Sequence, residues 1–252
     1  CGGDGTLNEV VSGVVGFENA SVTSYPCGSG NDYIKYYGTK SDFLSIKDLV
    51  NGVEKKVDLI KACGRYAINA VHFGFDTAVL KTMLKVRRKF LLGGKNAYTT
   101  GIITSLIRSM KTFCSFKADS EVIGNNKMLL ATIANGKYVG SAYKCAPRSE
   151  NDDGLLEVCK VNTLSRLTFI KLISIYKKGE HLDDKRIEKY INYKRAKKVE
   201  VEFDSIGDVS IDGELVNVKK FTAEIVEKAI RFVIPASLAA NKINGGEKEL
   251  VH

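Results

Sequence analysis

The opening stretch of the chain, Gly2-Gly3-Asp4-Gly5-Thr6, combines the residue types that hold phosphate groups. Consecutive glycines let backbone N–H groups approach phosphate oxygens closely, and the N-terminus of a following helix adds free amides. Thr6 and Asn8 add polar side chains. Because a carboxylate repels bare phosphate, Asp4 indicates a role with a metal ion or a proton. The alternative is a strand-to-helix turn that holds no ligand.

A second glycine loop, PCGSGND, spans residues 26–32. Its Ser29 can donate a hydrogen bond to phosphate, and its Asp32 can hold a magnesium ion that keeps several of its waters. On its own the loop is explained as a turn. Beside the first loop, it favours a second loop that faces a nucleotide.

Three later stretches carry carboxylates at turns. Asp76, in HFGFDTA, is placed to cap a helix, whereas the neighbouring His72 is assigned no role. Residues 152–154 (Asp-Asp-Gly) form a natural turn that could also bind a cation. Residues 212–213 (Asp-Gly) are typical of a two-residue hairpin. Glu214 follows that turn directly and could act as a general base toward a hydroxyl.

The elements that must position these residues change in type along the chain. Apolar residues at helical spacing predict a helix over 7–14, which precedes a short strand at 22–25 and a helix at 43–52. Short β-type runs dominate afterwards, interrupted by predicted helices near 77–92, 97–110 and 165–177, the last capped by Ser165. We therefore predict an α/β part over residues 1–56, a β-rich part over 57–235 and a tail over 236–252.

Composition narrows the class of protein. The formal net charge of +9 and the pI of about 9.1 favour an anionic partner such as a nucleotide, a nucleic acid or an acidic membrane. No run of apolar residues is long enough to predict a transmembrane helix. The six cysteines lack metal-site or disulfide spacing and indicate buried thiols in a reducing cytoplasm. Helix-turn-helix, zinc-finger and aromatic stacking motifs are not evident, so nucleic acid is not the expected partner.

Basic residues concentrate in two stretches that could meet an anionic membrane. The alternative is that both are solvated faces. The first stretch also carries apolar residues, Leu84, Phe90, Leu91 and Leu92, that could enter the headgroup zone. The basic residues are Lys81, Lys85, Arg87, Arg88, Lys89 and Lys95 in the first stretch, and Lys194, Arg195, Lys197 and Lys198 in the second.

Taken in order, the motifs GGDGTLNEV, PCGSGNDY, GFDTA, NGKYVGSAYKCAPRSENDDGLLEV and IDGEL resemble the bacterial diacylglycerol kinase family, which is related to the sphingosine and ceramide kinases. The resemblance implies the two-domain NAD kinase/diacylglycerol kinase-like fold, α/β plus β. An α/β nucleotide-binding domain precedes a β-sandwich-like lipid domain, and the site lies between them. The family's nucleotide domain begins before the GGDGT loop, so we expect that the chain lacks its N-terminal portion and that this fragment alone has little activity.

The resemblance also implies roles for individual residues. Glu214 would take the proton from the lipid hydroxyl, and Asp32 and Asp76, near Asp4, would organise catalytic Mg²⁺ through water. Two positions depart from the family pattern: Ser29 replaces threonine, and 140–142 read Gly-Ser-Ala instead of three glycines. The implied ATP contacts are Gly2, Gly3, Asp4, Gly5, Thr6, Leu7, Asn8, Ser29, Asn31 and Asp32. A separate structural Mg²⁺ would be held by Asp153 and the backbone carbonyls of Glu150 and Leu155.

The expected function is therefore ATP- and Mg²⁺-dependent phosphorylation of a lipid hydroxyl, with diacylglycerol converted to phosphatidic acid. The protein would be cytoplasmic and peripheral at the inner face of the membrane. The rivals are an NAD kinase-like enzyme, which shares the opening loop, and a non-catalytic homologue that binds lipid or nucleotide. The preferred lipid and the oligomeric state are left open, a homodimer included.

Overall fold

The computed structural model describes residues 1–90 and 111–240, with side chains described for residues 1–84 and 111–240. Residues 236–240 are also helical, although the sequence predicts a tail there. The helix predicted near 97–110 lies outside the described residues. The helices are α1 (Asp4–Val14), α2 (Ile46–Val50), α3 (Phe75–Phe90), α4 (Arg166–Lys178) and α5 (Lys185–Glu188), with 3-10 turns at Tyr33–Tyr36 and Lys40–Phe43.

Eleven strands within the described residues form one sheet. Two long strands replace pairs of predicted short ones, because β10 and β11 each continue through an irregularity in register. The strands are β1 (Ser21–Val22), β2 (Val53–Ala62), β3 (Arg65–Ala67), β4 (Ala70–Gly74), β5 (Thr112–Ala118), β6 (Glu121–Val122), β7 (Lys127–Ala134), β8 (Leu156–Asn162), β9 (Ile191–Ala196), β10 (Lys198–Ile211) and β11 (Glu214–Ile234).

Part of the sheet closes on itself. β10 pairs with both β4 and β5, and β7 pairs with the same two strands, so these four strands form a ring. Aromatic rings fill its interior: the ring centroid of Phe73 lies 5.7 Å from that of Phe116 and 5.6 Å from that of Phe203. Closure leaves this part of the sheet without a free edge.

A second core joins the N-terminal residues to the far end of the sheet. Leu7 and Val11 on the inner face of α1 pack in one cluster with Val57 of β2 and Phe232 of β11. The parallel pairing of β1 with β11 connects the same regions through the backbone. The boundary predicted between residues 56 and 57 lies inside β2, which runs unbroken across it. The division into domains stays a prediction.

Several expectations from the sequence are confirmed. Ser165 caps α4 by accepting a hydrogen bond from the Thr168 amide. The Asp-Gly pair at 212–213 joins β10 to β11, and both residues have positive φ, 45° and 93°, as a tight hairpin turn requires. The expectation of buried thiols is wrong for Cys1 and Cys27, which are exposed because their loops lie at the surface. Among the described residues, no helix is long and apolar enough to cross a membrane.

Candidate active site

A cavity of about 930 Å³ lies where the two glycine loops meet the hairpin turn and helices α3 and α4. Its volume is at the upper end of the range of about 300–1,000 Å³ that is typical of small-molecule sites. The lining divides by chemistry. The glycine loops and the hairpin turn contribute Asp4, Asp32, Asp212 and Glu214, and we call this part of the cavity the polar end. Helices α3 and α4 contribute mainly aliphatic and aromatic side chains, which we call the apolar end, and Asp76 stands at the start of α3.

The two glycine loops are held together through their backbones. Gly2 forms a parallel bridge with Pro26, and the Cys27 amide donates to the Gly2 carbonyl at 2.8 Å. A side chain on Gly28 would bring its Cβ within 2.6 Å of the Gly3 Cα, so the loops approach more closely than any other residue permits. The glycines are therefore required by loop-to-loop packing, whether or not the loops also hold phosphate.

This packing brings Asp4 and Asp32 together. The Asp32 amide donates to Asp4 Oδ1 at 2.5 Å, and a Cβ on Gly30 would contact both carboxylates. Burial, followed by the nearby charge of Asp32, raises the pKa of Asp4. The ammonium of Lys35 lies 2.6 Å from Asp32 Oδ1 and also donates to the Ser141 carbonyl at 2.7 Å. The ammonium of Lys35 therefore already offsets part of the negative charge of Asp4 and Asp32.

Asp76 lines the cavity from the first turn of α3, which begins at Phe75, so Asp76 lies within the helix and not at the predicted capping position. Burial raises its pKa to about 7, so its carboxyl group is poised to gain or lose a proton near neutral pH. His72 Nδ1 lies 3.7 Å from Asp76 Oδ2 and 3.2 Å from the Thr132 hydroxyl. Burial lowers the pKa of His72 to about 4, so its imidazole is neutral and does not offset the charge of Asp76.

The hairpin turn between β10 and β11 supplies two carboxylates with different roles. Asp212 accepts hydrogen bonds from the backbone amides of residues 68–70, at 2.7 Å from Ile68 and 2.7 Å from Ala70. It thereby fixes the start of β4 against the turn. Glu214, the predicted base, lines the cavity and forms an ion pair with Arg65. Both side chains of this pair are about half exposed, so the pair is weak and can open.

Some of the other residues predicted to contact ATP have hydrogen-bond partners within the protein. When the side-chain amide of Asn8 is oriented with its nitrogen toward the neighbouring acceptors, that nitrogen donates to Asp212 Oδ2 at 3.0 Å. Asn31 has a φ of 48° and closes the second loop by exchanging two hydrogen bonds with Gly28. Leu7 is buried in a core cluster and also lines the cavity, as does Ser29, whereas Thr6 is exposed on α1. Their contacts to ATP stay predictions.

The carboxylate of Asp153 is already occupied. It forms an ion pair with Arg195, and its other oxygen accepts the Leu155 amide at 3.0 Å. The Gly154 amide donates to the buried Asp58, so the turn is anchored to β2 without any metal ion. A cation held by Asp153 with the carbonyls of Glu150 and Leu155 would have to displace the guanidinium. The structural Mg²⁺ expected at this turn therefore stays a prediction.

The carboxylates that line the cavity are a second candidate site for Mg²⁺, separate from the turn at Asp153. Hard oxygen donors are the ligands that this ion prefers, and the pair of partly buried Asp4 and buried Asp32 carries negative charge that a cation would offset. Within residues 1–84 and 111–240, however, no group of three acidic, histidine or cysteine side chains lies close enough to hold a metal ion. A magnesium ion here would therefore depend on water and substrate phosphates for most of its ligands.

The apolar end of the cavity lies between α3 and α4. Leu80 and Met83 face it from α3, and Leu172 and Ile173 face it from α4. The Thr132 hydroxyl and the Tyr176 hydroxyl, 3.5 Å apart, are among the few polar groups near this end. The lining suits a long aliphatic ligand whose polar end reaches the carboxylates.

The basic stretches predicted to face a membrane are mostly neutralised where they are described. Lys81 lies 2.5 Å from Asp208, and Leu84 lines the cavity instead of pointing toward a membrane. The other residues proposed between 85 and 95 lie outside the described side chains. In the second stretch every basic residue has an acidic partner: Lys194 with Glu121, Arg195 with Asp153, Lys197 with Glu227, and Lys198 with Glu200 and Glu224.

Sequence reasoning missed three residues that shape the polar end. Lys35 follows Asp32 at a helix-like spacing, which is a local signal for pairing. Asp212 was explained by its turn, and its role as an acceptor for residues 68–70 depends on strand pairing that the sequence does not reveal. Arg65 reaches Glu214 from a neighbouring hairpin, and no local pattern connects them.

The motif resemblance is matched by two family models. The model of the diacylglycerol kinase catalytic domain matches residues 1–62, and the model of the YegS C-terminal NAD kinase beta sandwich-like domain matches residues 69–234. A protein named diacylglycerol kinase from Bacillus subtilis is 30% identical over 218 residues, which cover 84% of this chain and 69% of that protein.

Solved structures share the fold. A crystal structure of a diacylglycerol kinase from Bacillus anthracis superposes with a TM-score of 0.68 at 20% identity, covering 94% of this chain and 75% of that one. An NAD kinase from Archaeoglobus fulgidus in complex with ATP gives a TM-score of 0.50 at 12% identity, covering 96% and 79%. The two-part NAD kinase/diacylglycerol kinase-like fold is thus confirmed. With two family models spanning most of its length, the chain belongs to the diacylglycerol kinase and YegS-like family of lipid kinases.

Proposed function

We propose that this protein transfers the terminal phosphoryl group of ATP to a lipid hydroxyl and that diacylglycerol is the lipid, giving phosphatidic acid. The observation that carries the proposal is a cavity whose lining combines carboxylates from the loops and the hairpin turn with aliphatic side chains from α3 and α4. An NAD kinase-like enzyme would need a polar site for a dinucleotide, which the apolar end does not suit. A non-catalytic homologue would have no chemical use for buried, poised carboxylates.

The nucleotide is proposed to lie along the two glycine loops, beside the N-terminus of α1. Free amides in the first turn of that helix and the hydroxyls of Thr6 and Ser29 would meet its phosphates. Mg²⁺ bound with ATP would neutralise phosphate charge, which phosphoryl transfer needs more than covalent chemistry. Asp4, Asp32 and Asp76 would hold it, largely through water.

Glu214 is proposed to take the proton of the lipid hydroxyl. As that O–H bond breaks, the oxygen forms a bond to the terminal phosphorus, and the bond from phosphorus to the bridging oxygen of ADP breaks. The ion pair between Glu214 and Arg65 must open for this step, and its exposure keeps the cost of opening small, about 0–1 kcal/mol. A positioned base of this kind contributes about 10²–10⁴-fold to the rate.

A transfer assay tests the proposal. Radiolabelled ATP and Mg²⁺ are incubated with the protein and a lipid extract, and in a parallel reaction with NAD. Labelled phosphatidic acid, absent when EDTA removes the metal, is the expected result. Labelled NADP would overturn it in favour of the NAD kinase-like rival, and no labelled product from the full-length protein would favour a non-catalytic homologue. The proposed location is the cytoplasm, at the inner face of the membrane, where both ATP and the lipid are available.

A further inference from the structure

Helix α4 carries apolar side chains on two faces, one toward the cavity and one toward solvent. Phe169, Leu172 and Ile173 point inward and line the cavity. Leu167 and Ile170 point outward, and 73% and 60% of their surface, respectively, is exposed. Such large aliphatic side chains on an outward helix face, directly behind a ligand cavity, indicate a surface that meets another apolar phase.

The charges on this helix have one sign. Arg166, Lys171, Lys177 and Lys178 lie within α4, and its sequence contains no acidic residue. Lys171 lies one turn after Leu167 on the outward face, and Lys178 lies two turns further on. Lys177 instead stands 5.8 Å from the ring of Tyr143 and borders the cavity. The last-turn lysines also suit the helix dipole, but Lys171, in mid-helix, has no such explanation.

We propose that the outward face of α4 is the surface with which this protein docks on an anionic bilayer. Leu167 and Ile170 enter the headgroup zone, while Lys171 and Lys178 lie against anionic headgroups. The proposal rests on the proposed lipid kinase activity, because it places the apolar end of the cavity one helix diameter from the lipid. We prefer this surface to the second basic stretch, residues 194–198, because the basic residues there already form ion pairs with carboxylates.

A second copy of the chain is the other occupant to consider. A symmetric interface centred on α4 would place this helix, which carries basic and no acidic residues, against its own copy, so like charges would repel. Two aliphatic side chains also offer far less than the roughly 800 Å² per partner that stable interfaces bury. An anionic bilayer attracts the basic residues, and two aliphatic side chains are enough to enter its headgroup zone.

Vesicle sedimentation tests the docking surface. The protein is mixed with vesicles of phosphatidylcholine alone and of phosphatidylcholine with phosphatidylglycerol. The variants L167Q/I170Q and K171E/K178E are compared with I46Q/V50Q, which removes two equally exposed aliphatic side chains from α2. We expect wild-type protein to sediment with anionic vesicles, both α4 variants to bind at least about tenfold more weakly, and the α2 control to bind as wild type.

Activity separates this inference from the proposed function. The α4 variants should lose activity toward diacylglycerol in anionic vesicles but keep wild-type activity toward dioctanoylglycerol dispersed in detergent. Unchanged vesicle binding by both α4 variants would overturn the docking surface, as would a change in oligomeric state without a change in vesicle binding. Vesicle binding that depends on α4 in a protein that phosphorylates no lipid would retain the docking surface and reject the kinase activity.

Discussion

Asp4 and Asp32 illustrate how single residues decide the chemistry of the site. Both carboxylates lie against Gly30, and burial leaves few water molecules to stabilise their charges. Lys35 supplies a positive charge 2.6 Å from Asp32, so the pair is tolerated in the absence of a metal ion. If Mg²⁺ binds here with ATP, as proposed, this ammonium and the metal would offset the same negative charge.

Glu214→Gln tests the proposed base. The substitution keeps the size of the side chain but cannot accept the hydroxyl proton, so we expect kcat to fall at least about a hundredfold while ATP still binds. Steady-state kinetics and nucleotide titration measure the two effects. Arg65→Ala is the matched control, since it breaks the same ion pair but keeps the carboxylate, and it should retain kcat within about tenfold. Near-normal turnover by Glu214→Gln would reject the assignment.

His181 gives a prediction of pH dependence. Its ring is fully buried against Tyr176, with centroids 4.6 Å apart. Burial lowers its pKa to about 4, although Asp183 lies near enough to oppose the shift. The unfolded chain therefore takes up a proton near pH 6.5 while the folded chain does not, and stability is lost as pH falls from 6.5 toward 4.

The variant His181→Phe should remove this loss. Wild-type protein should lose about 2 kcal/mol of unfolding free energy through His181 between pH 7 and pH 5, and the variant should lose correspondingly less. Urea unfolding at both values measures the difference. Some acid sensitivity will persist through His72, whose pKa burial also lowers. Equal losses in wild type and variant would show that His181 does not contribute, and the difference between the two proteins should stay constant above pH 7.

At the scale of elements, the site depends on how closely neighbouring segments approach. The glycine loops meet at Gly3 and Gly28, and the start of β4 is held against the hairpin turn by Asp212. Ser141 occupies a left-handed conformation with a φ of 69°, where the family has glycine, and its amide still donates to Asp32. Each contact sets the distance between carboxylates that lie far apart in the sequence.

Gly28→Ala tests the contact between the loops. The new methyl group would lie 2.6 Å from the Gly3 Cα, so backbone must move, at a cost of about 1–3 kcal/mol in stability. We also expect the KM for ATP to rise, because the loops separate where the nucleotide is proposed to bind. Gly13→Ala is the matched control: no atom lies within 4 Å of its added methyl, and alanine favours the helix by about 0.5–1 kcal/mol. Equal effects of the two substitutions in thermal unfolding and kinetics would contradict the role of the contact.

At the scale of the whole molecule, the cavity exists because separate parts of the chain enclose it. The glycine loops and the hairpin turn contribute the polar end, residues of β4, β7 and β10 line the cavity from the sheet, and α3 and α4 form the apolar walls. None of these parts forms the cavity alone. The range of lipids that can bind therefore depends on how far α3 and α4 stand apart.

Ile173→Phe tests whether the apolar end holds acyl chains. The larger ring would fill part of the cavity, so kcat/KM for a long-chain diacylglycerol should fall at least about tenfold, while dioctanoylglycerol should be affected much less. The ratio of the two kcat/KM values is the measurement, with both lipids dispersed in the same detergent. Ile206→Phe, at a position 73% exposed and outside the cavity lining, is the control and should leave the ratio unchanged. An unchanged ratio in Ile173→Phe would place the acyl chains elsewhere.

The sequence by itself determined the features that depend on short-range patterns. Helical spacing predicted α1, the Ser165 cap predicted the start of α4, and the Asp-Gly pair predicted the hairpin between β10 and β11. Its motifs, in order, also indicated the family. These inferences succeed because backbone conformation and capping depend on neighbours within a few residues.

Only the tertiary structure decided which partners the functional side chains have. The pairing of Lys35 with Asp32 was locally visible, but those of Arg65 with Glu214 and of Arg195 with Asp153 join distant segments. The cavity also depends on distant segments, because its carboxylates and its aliphatic walls come from widely separated parts of the sequence. Charge and burial act through space, so a sequence pattern can identify a carboxylate but not the cation that neutralises it or the surface that encloses it.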